Sequence, residues 1–296
     1  MATSATSEAH SDQLLVVIDP VARRTDGESV RIVKDVLSAG AATKVCLPED
    51  PEEFARVLAR RGSRRPVVVG DDRTLLRTVS LLHRQRELAG CALSMVPVGG
   101  ALTLASALGV PTGTVAAARA VLDGVVRRMD LLVDDSDGVV LGALRLPSLP
   151  AGREAPPKER MPSPASDAGH ASWLRTCQSL VRTLVPARSL REPLAVAPRR
   201  PGPARLRVEV DGVTLVDLDQ PVEAVSVTPG TSGLATVEVR PLSVGAEASP
   251  LCARGRTVKV SGADFRYRAD TVLAGPVRTR TWVVREGAWG LTLPVG

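Results

Sequence analysis

Aromatic side chains are almost missing from this sequence: two Phe, one Tyr and three Trp among 296 residues. A platform that stacks single-stranded nucleic acid needs exposed rings, so this scarcity argues against one. Lysine is scarce as well, with 4 residues against 34 arginines, and the net charge is only +6. Arginines and acids are interspersed, with no basic stripe along the chain, so no nucleic-acid partner is expected. A compositional bias towards Arg and Ala accounts for the basic balance. Four cysteines (Cys46, Cys91, Cys177, Cys252) lie far apart without a Cys-x-x-Cys, and three histidines complete no zinc set. They read as buried thiols in a reducing compartment. Nothing from Leu88 to Ala118 is charged, yet Pro97, Gly99, Gly100, Pro111 and Gly113 break the stretch before it could cross a bilayer. Met1 to Asp12 has neither a cationic start nor an apolar core, so it does not read as a signal peptide. These absences point to a soluble, cytoplasmic protein.

What is present is a hydrophobic fraction of 44%, enough to fill a proper core. From Leu14 to about Asp135, short β-branched runs alternate with amphipathic helical patterns. Leu14 to Ile18 is apolar at every position, as a strand covered on both faces requires. A helix follows with Val30, Val33, Val36 and Leu37 inward and Gly40 past its end. Strands are predicted at Thr43–Leu47, Val67–Val69, Ala92–Val96 and Met129–Val133. Helices are predicted from Asp50 to Gly62, from Thr74 to about Leu88, near Ala101–Leu108 and at Thr114–Leu122. Alternation of this kind means a parallel sheet with helices on both faces.

The composition then changes. Eleven of the 23 prolines fall between Pro147 and Pro203, and Gly152 to Gly169 has no apolar period. That segment reads as a disordered linker or insertion, interrupted by one short helix over Ala171–Leu184. From Leu206 onward short alternating strands with turn signals, at Leu206–Val210, Thr236–Val239, Thr257–Val260, Phe265–Tyr267 and Thr279–Val284, predict an antiparallel β-sandwich. The expected organisation is a disordered tail (1–12), an α/β domain (13–146), a Pro-rich joint (147–204) and a β domain (205–296).

Two glycine-bearing turns follow adjacent strands: Gly70-Asp71-Asp72-Arg73-Thr74, and Pro97-Val98-Gly99-Gly100-Ala101. Carboxyl ends of parallel strands are where α/β folds bind ligands. Taken alone, the turns fit either a phosphate site or ordinary strand-to-helix connections.

Their order and spacing resemble the diacylglycerol kinase catalytic-domain family, which includes bacterial lipid kinases and sphingosine kinases. That family has an Asn-Pro turn after its first strand, and Asp19-Pro20 stands there in this chain. Its Gly-Gly-Asp-Gly-Thr phosphate loop corresponds to Gly70–Thr74. Its Pro-x-Gly-Thr-x-Asn-Asp segment corresponds to Pro97–Thr103, running on to Leu108-Gly109. Arg128-Met129-Asp130 resembles the family's Arg-x-Asp strand entry, and Ala269-Asp270-Thr271-Val272 its Asp-Gly-Glu turn. The resemblance implies an α/β domain joined to an antiparallel β-sandwich, with a nucleotide cleft between them. It implies ATP with Mg²⁺ as cofactors if the protein is active. Gly70, Asp71, Asp72, Arg73, Thr74, Pro97, Gly99, Gly100 and Asp19 would contact the cofactor, and Asp270 would act as general base on a lipid hydroxyl. The partner would be a lipid or an anionic membrane surface at the inner face, and a homodimer is left open. No side chain is assigned as a metal ligand.

The departures fall on the chemistry. Asp71 and Arg73 stand where the family has glycines, which let backbone N–H groups approach phosphate. A carboxylate there repels phosphate by about 1 kcal/mol or more. Arg77 replaces a helical Glu, Leu102-Thr103 an Asn-Asp pair, and Thr271-Val272 the Gly-Glu after Asp270. The acidic turn that family members often tie to a structural Mg²⁺ is Pro229-Gly230-Thr231-Ser232-Gly233, without a carboxylate. Two functions follow: an ATP-dependent lipid kinase with a divergent loop, or a catalytically inactive relative that binds nucleotide, lipid or protein. Two further features read as bland: Asp134–Gly138 as a solvated hairpin, and the arginines around Arg199–Arg207 as a solvated linker or a contact for anionic head groups.

Overall fold

A computed structural model describes residues 13–147, 203–242 and 249–295. Strand β1 (Leu14–Ile18) is buried at all five positions. Burying each such aliphatic side chain contributes roughly 1.5–3 kcal/mol. Asp19 ends it, its carboxylate accepting the Val21 N–H at 2.8 Å, and Pro20 pre-sets the first helical turn. Where one helix is expected there are two, α1 (Pro20–Thr25) and α2 (Gly27–Gly40). Asp26 divides them: its N–H bonds back to Ala22 O and its side chain caps α2 at Ser29 N, 3.0 Å away. Strand β2 (Thr43–Cys46) leads to α3 (Pro51–Ala59), capped by Asp50 at Glu53 N, 2.6 Å. Then come β3 (Arg65–Gly70), α4 (Asp72–Arg84), β4 (Ala92–Pro97), α5 (Thr103–Ala107), α6 (Thr114–Asp123) and β5 (Val125–Asp134).

The first four strands pair in parallel in the order β2-β1-β3-β4, with Val16 beside both Val45 and Val67, and Val69 beside Val96. Period-two alternation sorts their side chains. Leu15, Val17, Val68 and Met95 join Phe54 of α3 and Leu75 and Val79 of α4 in one core. Leu14, Val16, Ile18, Val67 and Val69 pack against Val33 and Leu37 of α2 and Val121 of α6 on the other face.

The remaining strands are β6 (Val139–Val140), β7 (Leu144–Leu146), β8 (Ala204–Val210), β9 (Val213–Val216), β10 (Pro221–Pro229), β11 (Ala235–Pro241), β12 (Leu251–Gly255), β13 (Thr257–Ala269) and β14 (Val272–Leu293). Strands β7 to β14 pair antiparallel with one another around a third core that includes Trp282, Tyr267, Val208 and Val237, and β6 pairs with β5. Strand β14 is 22 residues long and serves both parts. Its first half pairs with β13; its last residues lie antiparallel to β5 and parallel to β4, with Leu291 beside both Arg127 and Leu93. Trp282 is buried in the antiparallel core and Trp289 in the core under α3 and α4. The fold is therefore mixed α/β, with all described residues in one compact unit; a second unit, 150–200, lies outside the described residues.

Several boundaries differ from the sequence expectation. The helix expected from Thr74 to about Leu88 runs from Asp72 to Arg84, because Asp71 caps it and Arg86 takes a positive φ of 60°. The strand expected at Met129–Val133 extends to Val125–Asp134, since β14 gives its first half a partner. Expected strands at Thr257–Val260 and Phe265–Tyr267 merge into β13 through an irregular register. The thiols are not uniformly buried: Cys91 is buried, Cys46 intermediate and Cys252 exposed on the two-sided strand β12. The uncharged stretch becomes β4, a loop, α5 and the first half of α6, and among the described residues no helix is long and apolar enough to cross a membrane. The expected disordered tail, the insertion over 152–169, the helix over 171–184, Cys177 and Arg199-Arg200 lie outside the described residues.

Candidate functional site

Strand order reverses between β1 and β3, and the turns after these two strands carry Asp19 and Gly70–Thr74. The turn after β4 carries Pro97–Ala101 and lies against the second. Three backbone hydrogen bonds lace the turns together: Asp19 N–H to Val69 O (2.9 Å), Val98 N–H to Gly70 O (2.8 Å) and Asp72 N–H to Ala101 O (2.9 Å). The candidate cofactor residues thus share one end of the parallel strands.

Within this cluster the charged residues have distinct tasks. Asp71 does not point a free carboxylate outward; it caps α4, accepting the Thr74 N–H and hydroxyl at 3.1 Å each. Gly70 has to be glycine, because a Cβ there would lie 2.7 Å from Thr74 Oγ1. Asp72 is only 2% exposed and accepts the N–H groups of Leu104 (2.8 Å) and Ala105 (3.0 Å). It thereby caps α5, whose own N-cap residue, Leu102, has no side-chain hydrogen bond to offer. Sequence reading missed this role because the capped helix is thirty residues away. Burial pushes the Asp72 carboxyl above its ordinary range, against the pull of those N–H donors. Arg73 is exposed, Gly99 adopts φ 128°, and a Cβ on Gly100 would meet nothing within 4 Å. That open side of Gly100 leaves the backbone accessible.

Asp19 is 4% exposed; besides capping α1 it meets Arg77, whose Nη1 lies 3.4 Å from its Oδ2. Arg77 also stands 5.9 Å over the Phe54 ring.

Asp270 occupies the turn between β13 and β14 with φ 49°. Its carboxylate accepts three backbone N–H groups, from Leu141, Gly142 and Ala143, each at 2.8 Å. Burial raises its pKa, opposed by those bonds and assisted by the nearby Asp72 charge. Gly142 is wedged between the two parts of the site: a Cβ there would lie 2.7 Å from Leu104 Cδ1 and 3.1 Å from Asp270 Oδ1.

The other candidates resolve locally. Among the described residues no group of three or more His, Cys, Asp or Glu could hold a metal ion. Asp134 folds its own hairpin, accepting from Ser136 N (2.8 Å), Ser136 Oγ (2.7 Å) and Gly138 N (2.8 Å). Burial raises its pKa, but the Ser136 hydroxyl, those N–H groups and the Arg280 charge together bring it below the usual range. His83 Nε2 lies 2.9 Å from Asp137. Arg207 pairs with Asp217, and Arg205 donates to the Leu218 and Asp219 carbonyls. The turn at Pro229–Gly233 does not fit the structural Mg²⁺ of the family. Its Gly233 N–H donates to Asp130 Oδ2 at 2.7 Å, and the other oxygen of Asp130 takes the Gly287 N–H at 2.7 Å.

Parallel strands whose order reverses beside β1, continued through one long strand into an antiparallel ladder, define a mixed α/β protein. Residues 13–133 match the diacylglycerol kinase catalytic domain. Similar solved structures cover 95% of this chain. A diacylglycerol kinase from Bacillus anthracis str. Sterne has a TM-score of 0.64 at 11% identity, over 95% of this chain and 97% of that one. A second, described as "a putative diacylglycerol kinase" from the same organism, has a TM-score of 0.65 at 10% identity over the same shares. At such identity the likeness is one of fold. No curated protein sequence matches the chain.

Proposed function

We propose that this protein is a lipid kinase-family member that binds nucleotide at the β1/β3 crevice but has lost efficient phosphoryl transfer. One observation carries the reading: both inherited carboxylates, Asp72 and Asp270, are engaged by backbone N–H groups. Two oxygens offer about four lone-pair sites, and Asp270 has three of them filled. A base committed in this way anchors the Leu141–Ala143 segment instead of meeting a substrate hydroxyl. The loss of the Asn-Asp pair at Leu102-Thr103 removes further polar groups from the same side, and such groups act as a unit. The antiparallel strands form the second, sandwich-like wall of the cleft in this reading. When bound with ATP, Mg²⁺ would supply charge neutralisation on the phosphates.

The kinase reading has one observation in its favour. Burial raises the pKa of Asp270, which makes its carboxylate a stronger proton acceptor than an exposed one. Val272 and Leu273, each 49% exposed, stand beside it in the position of a lip for a lipid at the inner membrane surface.

Calorimetry with Mg-ATP followed by radiolabelled transfer to diacylglycerol in mixed vesicles separates the readings. ATP binding without transfer is the expected result. Transfer that disappears in Asp270→Asn would establish the kinase instead, and absence of ATP binding at millimolar concentration would end both.

A further inference from the structure

The crevice at the β1/β3 reversal is spanned by two side chains from opposite walls, Asp19 from the turn after β1 and Arg77 from α4. Open α/β sheets bind ligands at this topological position. Arg77 keeps 37% of its side chain exposed while Asp19 keeps 5%, so the arginine is the partner that solvent reaches. The Phe54 ring fixes the other side of the cation. Arg73 lies one helical turn earlier on the same face of α4, is exposed, and makes no hydrogen bond or ion pair among the described residues.

We propose that Arg77 and Arg73 together form a recognition site for a polyphosphate chain, with Asp19 holding Arg77 in place until the ligand arrives. The proposal rests on the nucleotide reading above and deepens it. A guanidinium has five donors, and Asp19 engages Arg77 at only 3.4 Å, so most of the fork is available. The planar fork suits phosphate oxygens bidentately. Of the acids nearby, Asp71 is turned into α4 and Asp72 is committed to Leu104 and Ala105. Among the described residues Asp19 is the carboxylate paired with Arg77, and it competes with an incoming phosphate for that cation. The replacements of a Gly by Arg73 and of a Glu by Arg77 then become one linked change, in which side-chain cations take over what glycine N–H groups do elsewhere.

The test is calorimetry on the full chain with ATP, inorganic tripolyphosphate and adenosine as separate probes. Wild type should bind ATP and tripolyphosphate but not adenosine. Arg77→Gln and Arg73→Gln should each weaken both anions roughly 10- to 100-fold. Asp19→Asn, which keeps the Val21 cap and removes the competing charge, should tighten both. Thermal midpoints establish that each variant folds, and Arg77→Lys, which keeps the charge but loses the fork, replaces Arg77→Gln if that variant does not. Unchanged anion affinity in folded arginine variants overturns the arginine site and leaves nucleotide binding standing. Tripolyphosphate binding without ATP binding keeps the arginine site and sinks the nucleotide reading. Adenosine binding as tight as ATP overturns the phosphate basis altogether.

Discussion

Asp72 holds the backbone N–H of Leu104 at 2.8 Å across thirty-two residues of sequence, and is almost wholly buried in doing so. With its second bond, to Ala105, this one carboxylate fixes the turn after β4 to the start of α4. Asp72→Ala orphans two N–H groups at the head of α5. At about 1–3 kcal/mol for each unsatisfied group, the variant should lose roughly 2–6 kcal/mol. Urea unfolding measures this, and a change below about 1 kcal/mol would show that water replaces the carboxylate.

The sequence states the parallel sheet plainly, because fully buried strands read as unbroken runs such as Leu14–Ile18 and because caps such as Asp50 are local. Bonds between distant segments leave no such trace. Asp72 looked like a phosphate-loop acid and is a cap for α5; Asp71 looked like an intruding charge and caps α4. Strand β14 could be read only as a short stretch near Thr279–Val284. Its full length depends on partners in β13, β5 and β4, which no pattern within its own residues announces. Arg77 drew notice as a lost Glu, yet its pairing with Asp19 needs two turns to converge at a sheet reversal.

Burial raises the pKa of Asp270 and Asp72, whereas Asp134 is held low on balance by its hydrogen bonds and Arg280. For a raised carboxyl the folded state binds the extra proton. Its contribution is therefore fully present below the unfolded pKa and is lost as pH rises through the folded one. For Asp134 the sign reverses: stability is present above the unfolded pKa and is lost as pH falls through the depressed one. Denaturation midpoints of Asp270→Asn against wild type should thus lose the decline that wild type shows on going from the ordinary carboxylate range upward. Asp134→Asn should cost most at neutral pH, with the gap from wild type closing in acid. Parallel curves for wild type and either variant would contradict the assignment.

Gly99 and Gly100 are adjacent and should respond differently to alanine. Gly99 has φ 128°, which an L side chain rarely adopts, and its Cβ would also touch Asp71 Cβ at 3.4 Å. Gly99→Ala should cost about 1–3 kcal/mol through backbone strain. Gly100 has an ordinary φ and open space around it, so Gly100→Ala should leave stability within about 0.5 kcal/mol of wild type. If the open side of Gly100 receives phosphate, the same methyl group should weaken ATP binding measurably. Thermal unfolding and calorimetry on the two variants read the strain and the contact separately.

Asp130 joins two turns that belong to different strands, taking the Gly233 N–H on one oxygen and the Gly287 N–H on the other. A side chain on Gly233 would be strained, since its φ is 73° and a Cβ would displace the Glu286 side chain, whose Oε2 lies 2.6 Å away. The clamp makes a metal unnecessary for holding Pro229–Gly233, a turn that itself has no carboxylate. Wild type should therefore unfold at the same temperature with EDTA as with millimolar Mg²⁺. Asp130→Ala should lose about 2–5 kcal/mol by freeing both N–H groups, and Asp130→Asn less, because its amide oxygen still serves one of them. A midpoint that rises with Mg²⁺ in wild type, and no longer rises in Asp130→Ala, would show instead that this carboxylate is a metal ligand.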